Sequence, residues 1–230
     1  QHLRQQDRQL APDQSHQTLW EEAELLLQQR QPREAEATFQ KLLRLFPDEG
    51  LRPRSLMGLV RVYEGTRRRE EQIPLLTVIT TKYPRSAEAS AALLRLAMIY
   101  WNRNENLKAL THFKRLVDAY PTSAPAATAA ISLARIYQSL GQHQEATKVL
   151  RAFPRNFPAS SQRDEAQWRL AWIYYTQADY KRAHATFRDL AEETGTAAFS
   201  SYDRNTVNCE QACDSAPTQF RREDRSSSCS

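Results

Sequence analysis

Residues 85–121 read RSAEASAALLRLAMIYWNRNENLKALTHFKRLVDAYP, and this stretch decides the fold. Its apolar residues recur at short intervals in two sets, namely Leu93, Leu96, Ala97 and Tyr100, then Ala109, Leu110, Phe113, Leu116 and Val117. Such spacing places each set on one face of an α-helix. The polar segment 102–106 separates the sets, and Pro121 ends the second because proline lacks the N–H that a helix interior requires. The stretch therefore predicts two amphipathic helices joined by a short turn.

Four columns of similar residues repeat this unit with a period of 37 residues. The first column is Leu26, Tyr63, Tyr100, Tyr137 and Tyr174, and the second is Ala35, Gln72, Ala109, Ala146 and Ala183. The third is Phe39, Leu76, Phe113, Leu150 and Phe187, and the fourth is Phe46-Pro47, Tyr83-Pro84, Tyr120-Pro121 and Phe157-Pro158. One helix pair cannot bury both of its apolar faces, so this period predicts a stacked array of helical hairpins.

The motifs Leu96-Ala97-x-x-Tyr100, Ala109-x-x-x-Phe113 and Pro121 resemble the signature of the tetratricopeptide repeat family. The resemblance covers residues 18–195 and implies an all-α, right-handed α-solenoid of about five helix-turn-helix repeats. The expected repeats are 18–47, 48–84, 85–121, 122–158 and 159–195. Because the usual period of the family is about 34 residues, the extra residues are expected in the loop after each proline.

Prolines and one glycine depart from the pattern locally. Pro74 falls inside the second helix of the second repeat, and we place Pro154 early in the turn before Pro158. Since an internal proline bends or breaks a helix, these residues argue against straight second helices in repeats two and four. Gly195 stands where a fifth proline would be, and we interpret it as a helix stop.

The two ends of the chain lack the repeat. Residues 1–17 are rich in Gln, Arg and Asp, which predicts a polar leader that is either a frayed helix or disordered. Residues 196–230 lack helical periodicity and predict a disordered tail. Since a solenoid normally ends in a capping helix with a polar outer face, we interpret this tail as a truncation or a reading-frame artefact, and we expect the natural chain to continue with further repeats or another domain.

Composition and motifs argue against several functional classes. The formal net charge is +5, but the charged residues are interspersed, which indicates mostly solvated helix surface, and no nucleic-acid partner is expected. An RNA-binding helical repeat, which the positive charge favours, stays open as a third alternative for the function. No apolar run approaches the roughly 20 residues that span a bilayer. Cys209 and Cys213 lack zinc-ligand spacing, so no metal site is expected. Phosphate loops, nucleophile elbows and dinucleotide motifs are missing, and we expect no catalytic residue and no cofactor.

One face of the first helices carries a distinctive set of side chains. At about 100° per residue, positions one after, two before and six before the Tyr column lie roughly 100–160° from the buried face. The candidate partner-binding residues there are Trp20, Met57, Arg61, Leu94, Met98, Trp101, Arg135, Gln138, Trp168, Trp172 and Tyr175. All four tryptophans of the chain belong to this set, and Trp and Arg are enriched where binding energy concentrates.

In the tetratricopeptide family the corresponding face lines the concave groove. The resemblance therefore implies a groove that holds an extended peptide or a partner helix. The expected anchors are Trp101, Trp168, Trp172 and Tyr175, with Arg61 and Arg135 meeting acidic groups. Alternatively, neighbouring first helices touch through this face, and some of the rings are packing spacers. The same face also contains Glu24, Leu27, Glu64 and Ile131.

The predicted function is a non-catalytic protein–protein interaction scaffold. The long loops between repeats resemble those of bacterial envelope tetratricopeptide proteins such as the Tol-Pal coordinator, which implies a periplasmic location and a peptidoglycan-associated partner; the chain itself shows no signal peptide. The alternative function rests on the run DEAQWRLAWIYY at 164–175, followed by Asp179-Tyr180, which is similar to the helical N-terminal region of soluble lytic transglycosylases. The chain would then be the scaffold of a peptidoglycan-processing enzyme without its catalytic domain, which carries a Glu-Ser motif.

Overall fold

The computed structural model describes residues 16–47 and 50–194, and within these ranges it contains ten α-helices and no strand. The first helices of the repeats are α1 (His16–Gln28), α3 (Arg52–Gly65), α5 (Ala89–Asn102), α7 (Ala124–Ser139) and α9 (Arg163–Thr176). The second helices are α2 (Pro32–Leu45), α4 (Arg69–Lys82), α6 (Asn106–Ala119), α8 (His143–Asn156) and α10 (Tyr180–Thr194). The all-α helix-turn-helix prediction is confirmed.

Several sequence predictions fall on other parts of the chain. Most of the expected leader, the helix stop at Gly195, the tail 196–230 and its cysteines lie outside the described residues. At the N-terminal side, α1 begins at His16, two residues before the first expected repeat.

Each first helix ends in the same three-residue loop, and the middle residue of that loop has a left-handed backbone. These middle residues are Arg30, Arg67, Asn104, Gly141 and Ala178, with φ values of 57°, 60°, 60°, 71° and 60°. In the third repeat, for example, the Asn104 N–H donates to the Trp101 carbonyl at 2.9 Å, and the Glu105 N–H donates to the Tyr100 carbonyl at 3.0 Å. The same bond pair closes all five first helices, which is the Schellman arrangement. The turn therefore fixes where each second helix starts.

The second helices end as the aromatic-proline pairs predict. Phe46, Tyr83, Tyr120 and Phe157 are the C-cap residues of α2, α4, α6 and α8. Each of their N–H groups still donates to the carbonyl four residues earlier, as Tyr120 does to Leu116 at 3.0 Å. The proline that follows has no N–H to continue this ladder, and the helix stops.

The internal prolines do not interrupt their helices. α4 continues through Pro74, and α8 includes Pro154. The placement of Pro154 in the turn is therefore wrong. The helix extends past this residue because Phe153 is fully buried and its carbonyl still accepts the Phe157 N–H at 2.8 Å.

The described residues form two compact units that divide within α7, between Ala126 and Ala127. In the first unit the helices pack in chain order, from α1 on α2 through to α5 on α6, and in the second unit α9 packs on both α8 and α10. The alanines of the second column, Ala35, Ala109, Ala146 and Ala183, are completely buried. So are the residues of a further column in the first helices, Ala23, Val60, Ala97, Ala134 and Ala171. These small side chains let the paired helices approach closely.

Polar contacts join successive repeats of the first unit. The Tyr63 hydroxyl donates to Glu36 at 3.0 Å, and the Arg115 guanidinium donates to the Thr80 carbonyl at 2.6 Å. Arg103 of the third repeat pairs with Glu70 of the second. These contacts are partly exposed. An exposed ion pair such as Arg103–Glu70 contributes little net stability. Burial of the apolar columns is therefore the main stabilising term.

The close approach of α3 to α2 gives the first prediction. A Cβ added at Gly58 would overlap the ring of Phe39, which is completely buried, so a core side chain would have to shift. We expect Gly58→Ala to lower the free energy of unfolding by about 1–3 kcal/mol, the usual cost of overpacking, although alanine favours helices by about 1 kcal/mol. Urea unfolding followed by circular dichroism measures this change.

Gly65, at the end of the same helix, is the matched control because a Cβ there would have no neighbour within 4 Å. Gly65→Ala should leave stability unchanged or raise it slightly. Equal effects of the two substitutions would contradict the overlap of Gly58 with Phe39.

The left-handed turns give a second prediction, in which two opposite substitutions change the free energy of unfolding in opposite directions. An L-residue in this conformation costs roughly 1–2 kcal/mol relative to glycine. Gly141→Ala should therefore lower the free energy of unfolding by about 1 kcal/mol, since a Cβ at this position meets no other atom within 4 Å and only the backbone is affected. Ala178→Gly should raise it by up to about 1 kcal/mol. Thermal and urea unfolding check both, and a destabilising Ala178→Gly would be the contrary outcome.

Candidate functional site

All eleven candidate residues lie on the first helices, and none is buried. Arg135 is exposed, and the other ten are partly exposed. The first unit contains Trp20, Met57, Arg61, Leu94, Met98 and Trp101, and the second contains Arg135, Gln138, Trp168, Trp172 and Tyr175. Ile131, which shares the same angular position, is only 3% exposed and belongs to the core. The two units are described separately below.

Four aromatic rings of the second unit contact one another in sequence, and we call them the aromatic ladder: Trp168, Trp172, Tyr175 and Tyr180. The indoles of Trp168 and Trp172, one helical turn apart on α9, are nearly parallel, with an interplanar angle of 5° and centroids 5.8 Å apart. Trp172 stacks on Tyr175 with centroids 5.5 Å apart, and Tyr175 meets Tyr180 edge to face at 5.7 Å. The i, i+4 and i, i+3 spacing on one helix produces the first two contacts.

A buried apolar cluster supports the ladder. This cluster consists of Ala171, Tyr174, Ala183 and Phe187 from α9 and α10. Trp168, Trp172 and Tyr175 pack against it while remaining partly exposed. The rings are therefore held in place before any ligand arrives, and the conformational entropy lost on binding is reduced.

Tyr180 belongs to the aromatic ladder but is not among the eleven residues that the sequence proposed. It opens α10, whereas the angular argument considered only first helices. The preceding Asp179 caps this helix, because its carboxylate accepts the Arg182 backbone N–H at 3.2 Å. This cap holds Tyr180 at the start of the helix beside Tyr175. The sequence signal was the Asp179-Tyr180 pair, one short loop after the aromatic run.

Trp20 and Arg61, in the first unit, are engaged within the chain. The Arg54 guanidinium lies 4.2 Å from the Trp20 ring centroid, and the Phe39 ring meets the indole at 5.3 Å. Arg61 forms an ion pair with Glu24, the equivalent residue of the preceding repeat. Burial lowers the pKa of the Arg61 guanidinium, and the nearby charge of Arg95 lowers it further. The acidic group that Arg61 meets in this structure is therefore Glu24, on the neighbouring first helix.

The remaining candidates of the first unit lie near α5. Trp101 meets the buried Phe113 ring edge to face, with centroids 6.0 Å apart. Leu94 and Met98 line an open cleft of about 460 Å³ between α5 and the turn that joins α3 to α4. Met57 packs at the edge of the core shared by α3, α4 and α5. Trp101 and Met57 therefore pack on buried residues with one part of the side chain and are exposed with the other.

Within residues 16–47 and 50–194, no group of His, Cys, Asp and Glu side chains is arranged to hold a metal ion. In the same part of the chain, no helix combines the length and the apolar character needed to cross a membrane.

Several solved structures share the fold. A tetratricopeptide repeat protein from Parabacteroides merdae is 15% identical, with 86% of this chain and 73% of that chain covered at a TM-score of 0.63. MamA is 17% identical, with 80% and 95% covered at 0.62. YrrB, described as a TPR protein with an unusual peptide-binding site, is 14% identical, with 82% and 88% covered at 0.57. At such identities the likeness shows the fold alone.

No curated protein sequence matches this chain. A family model does, under the description "Tetratricopeptide repeat", and its four matches cover residues 21–87, 79–124, 94–161 and 131–198. Together they span most of the chain and overlap the helix pairs described above. The chain therefore belongs to the tetratricopeptide repeat family, and its fold is an all-α solenoid of such repeats.

Proposed function

We propose that this chain is a non-catalytic scaffold that binds a peptide segment or a partner helix of another protein, with the aromatic ladder as its principal contact. The observation that carries the proposal is the row of four contacting rings, of which Trp168, Trp172 and Tyr175 are stacked and packed, partly exposed, against a buried cluster. Trp and Tyr supply large contact area at a low entropic cost and are enriched among binding hot spots. A stack of this kind exceeds what the repeat fold requires.

The ladder is long enough to contact a short peptide segment. From Trp168 to Tyr175 the helix advances seven residues, or roughly 10 Å at 1.5 Å per residue. That length matches about three residues of an extended peptide. The fold shared with YrrB, whose structure is described as having a peptide-binding site, also supports a peptide ligand.

The cellular setting of the proposal is the bacterial periplasm, with a peptidoglycan-associated partner. Its support is the resemblance of the long inter-repeat loops to those of envelope tetratricopeptide proteins. A second candidate, the helical region of a soluble lytic transglycosylase, is favoured by the run at 164–175, which forms most of α9 and contains three ladder residues. Reading the gene beyond this segment for a lysozyme-like domain with a Glu-Ser motif distinguishes the two.

The third prediction tests the ladder. Peptides selected from a random display library on the full chain should bind Trp172→Ala about 30-fold more weakly than the original protein, the loss expected at a hot spot. The reason is that Trp172 contacts both Trp168 and Tyr175, so its removal breaks the stack. Fluorescence anisotropy with the selected peptides measures the dissociation constants.

Two further variants make the test specific. Leu140→Ala removes an apolar side chain of the second unit that is 40% exposed and lies off the ladder, and it should leave affinity unchanged. Trp172→Phe keeps a stacked ring and should recover most of the lost affinity. Circular dichroism establishes that all variants are folded. If the selected peptides bound Trp172→Ala as tightly as the original protein, the ladder would not be the binding site.

A further inference from the structure

The cleft beside Leu94 and Met98 has a chemistry different from that of the ladder. Arg67 lines it from the α3–α4 turn, Arg69 from the first residue of α4, and Arg95 from α5. We call it the arginine cleft. Its volume of about 460 Å³ falls within the roughly 300–1,000 Å³ typical of ligand pockets. It lies entirely within the first unit.

Two of the three cleft arginines have no acidic partner among the described residues. Arg95 pairs with Glu64, which also lines the cleft. The side chains of Arg67 and Arg69 are exposed, and neither forms a hydrogen bond or an ion pair with any residue in the described part of the chain. The cleft therefore presents two available guanidinium groups beside the apolar side chains of Leu94 and Met98.

The acidic residues that follow in sequence do not neutralise these two arginines. Glu70 pairs with Arg103 of the next repeat, and Glu71 pairs with Arg68. Hydrogen bonding from Arg68 lowers the pKa of the Glu71 carboxyl, so it stays ionised in this pair. The local carboxylates are therefore committed elsewhere, and the potential at the cleft stays positive.

The fold itself does not require these charges. All five left-handed turns have the same backbone bonds, but the positions equivalent to Arg67 are Arg30, Asn104, Gly141 and Ala178. The positions equivalent to Arg69 are Pro32, Asn106, His143 and Tyr180. Only the second repeat has arginine at both. The Arg67 N–H is bonded to the Glu64 carbonyl at 3.1 Å, which fixes the turn from which this side chain projects.

We propose that the arginine cleft binds an acidic peptide segment of a partner protein, with carboxylates at Arg67 and Arg69 and an apolar side chain against Leu94 and Met98. Guanidinium groups bind carboxylates through two parallel hydrogen bonds, so the orientation of the carboxylate is fixed as well as its charge. A single-stranded nucleic acid fits less well, because no aromatic ring lines the cleft to stack on its bases. This site is separate from the ladder and independent of the function proposed there.

The experiment uses the full chain and a fluorescein-labelled peptide in which a leucine is flanked on each side by two glutamates. Anisotropy should show saturable binding that weakens with added NaCl, as expected for exposed charges. The double variant Arg67→Glu/Arg69→Glu should bind at least tenfold more weakly. Replacing the leucine of the peptide by serine should also weaken binding, because the apolar contact is lost.

The matched control is Arg30→Glu/Arg33→Glu, which makes the same change of net charge at the equivalent turn of the first repeat and should bind like the original protein. Arg69→Gln alone, at the exposed first residue of α4, provides a milder variant whose fold is checked by circular dichroism. Trp172→Ala should bind this peptide normally, so that failure of the ladder and failure of the cleft are distinguishable.

Several results would overturn the proposal. The first is that the acidic peptide shows no saturable binding. The second is that the Arg67→Glu/Arg69→Glu variant binds the peptide as tightly as the original protein. The third is that the Arg30→Glu/Arg33→Glu control loses as much affinity as that variant, because the loss would then follow from net charge alone. Binding of a labelled RNA oligonucleotide that depends on Arg67 and Arg69, without binding of the acidic peptide, would assign the cleft to nucleic acid instead.

Discussion

The left-handed turn at the end of each first helix is the constraint on which the repeat depends. Two backbone hydrogen bonds and one residue with positive φ set the direction of the second helix in all five repeats. That direction brings the alanine column, for example Ala109 and Ala183, into the helix crossing, where it is completely buried. Because the loop has only three residues, the second helix has no freedom to slide along the first. The apolar columns therefore meet in one register.

Once the register is set, equivalent positions are free to differ in chemistry. Glu24 and Arg61 occupy the same position in successive repeats and pair with each other, whereas Trp172 occupies that position in the fifth repeat and stacks on its aromatic neighbours. The same holds for the turns, where Arg67 replaces the glycine found at Gly141. Both proposed binding surfaces lie at positions that the fold leaves unconstrained, so the same repeat can carry an aromatic ladder in one unit and an arginine cleft in the other.

The helix pairs and their ends were predictable because their causes are local. Apolar spacing and the aromatic-proline pairs act within one helix, and Tyr83 and Tyr120 cap their helices as expected. The left-handed turns were not visible in the sequence, since Gly141 is the only glycine among the five. The partner of Arg61 and the position of Tyr180 depend on contacts between helices, so spacing along one helix did not reveal them. Pro154 was misplaced because packing of Phe153 outweighs the missing hydrogen bond.

The two kinds of connection differ in the changes of length that they accommodate. The loops within repeats have one length throughout, as at 66–68 and 177–179, because the bonded turn admits no other. Between repeats, α7 begins earlier than its equivalents and leaves the loop 120–123, whereas 83–88 and 157–162 are longer, yet the period is unchanged. A residue that belongs to the loop in one repeat can therefore belong to the helix in another, and the 37-residue spacing of the helices is kept. The loops that follow the prolines, between one repeat and the next, are therefore the places where inserted segments or grafted epitopes disturb the helix pairs least.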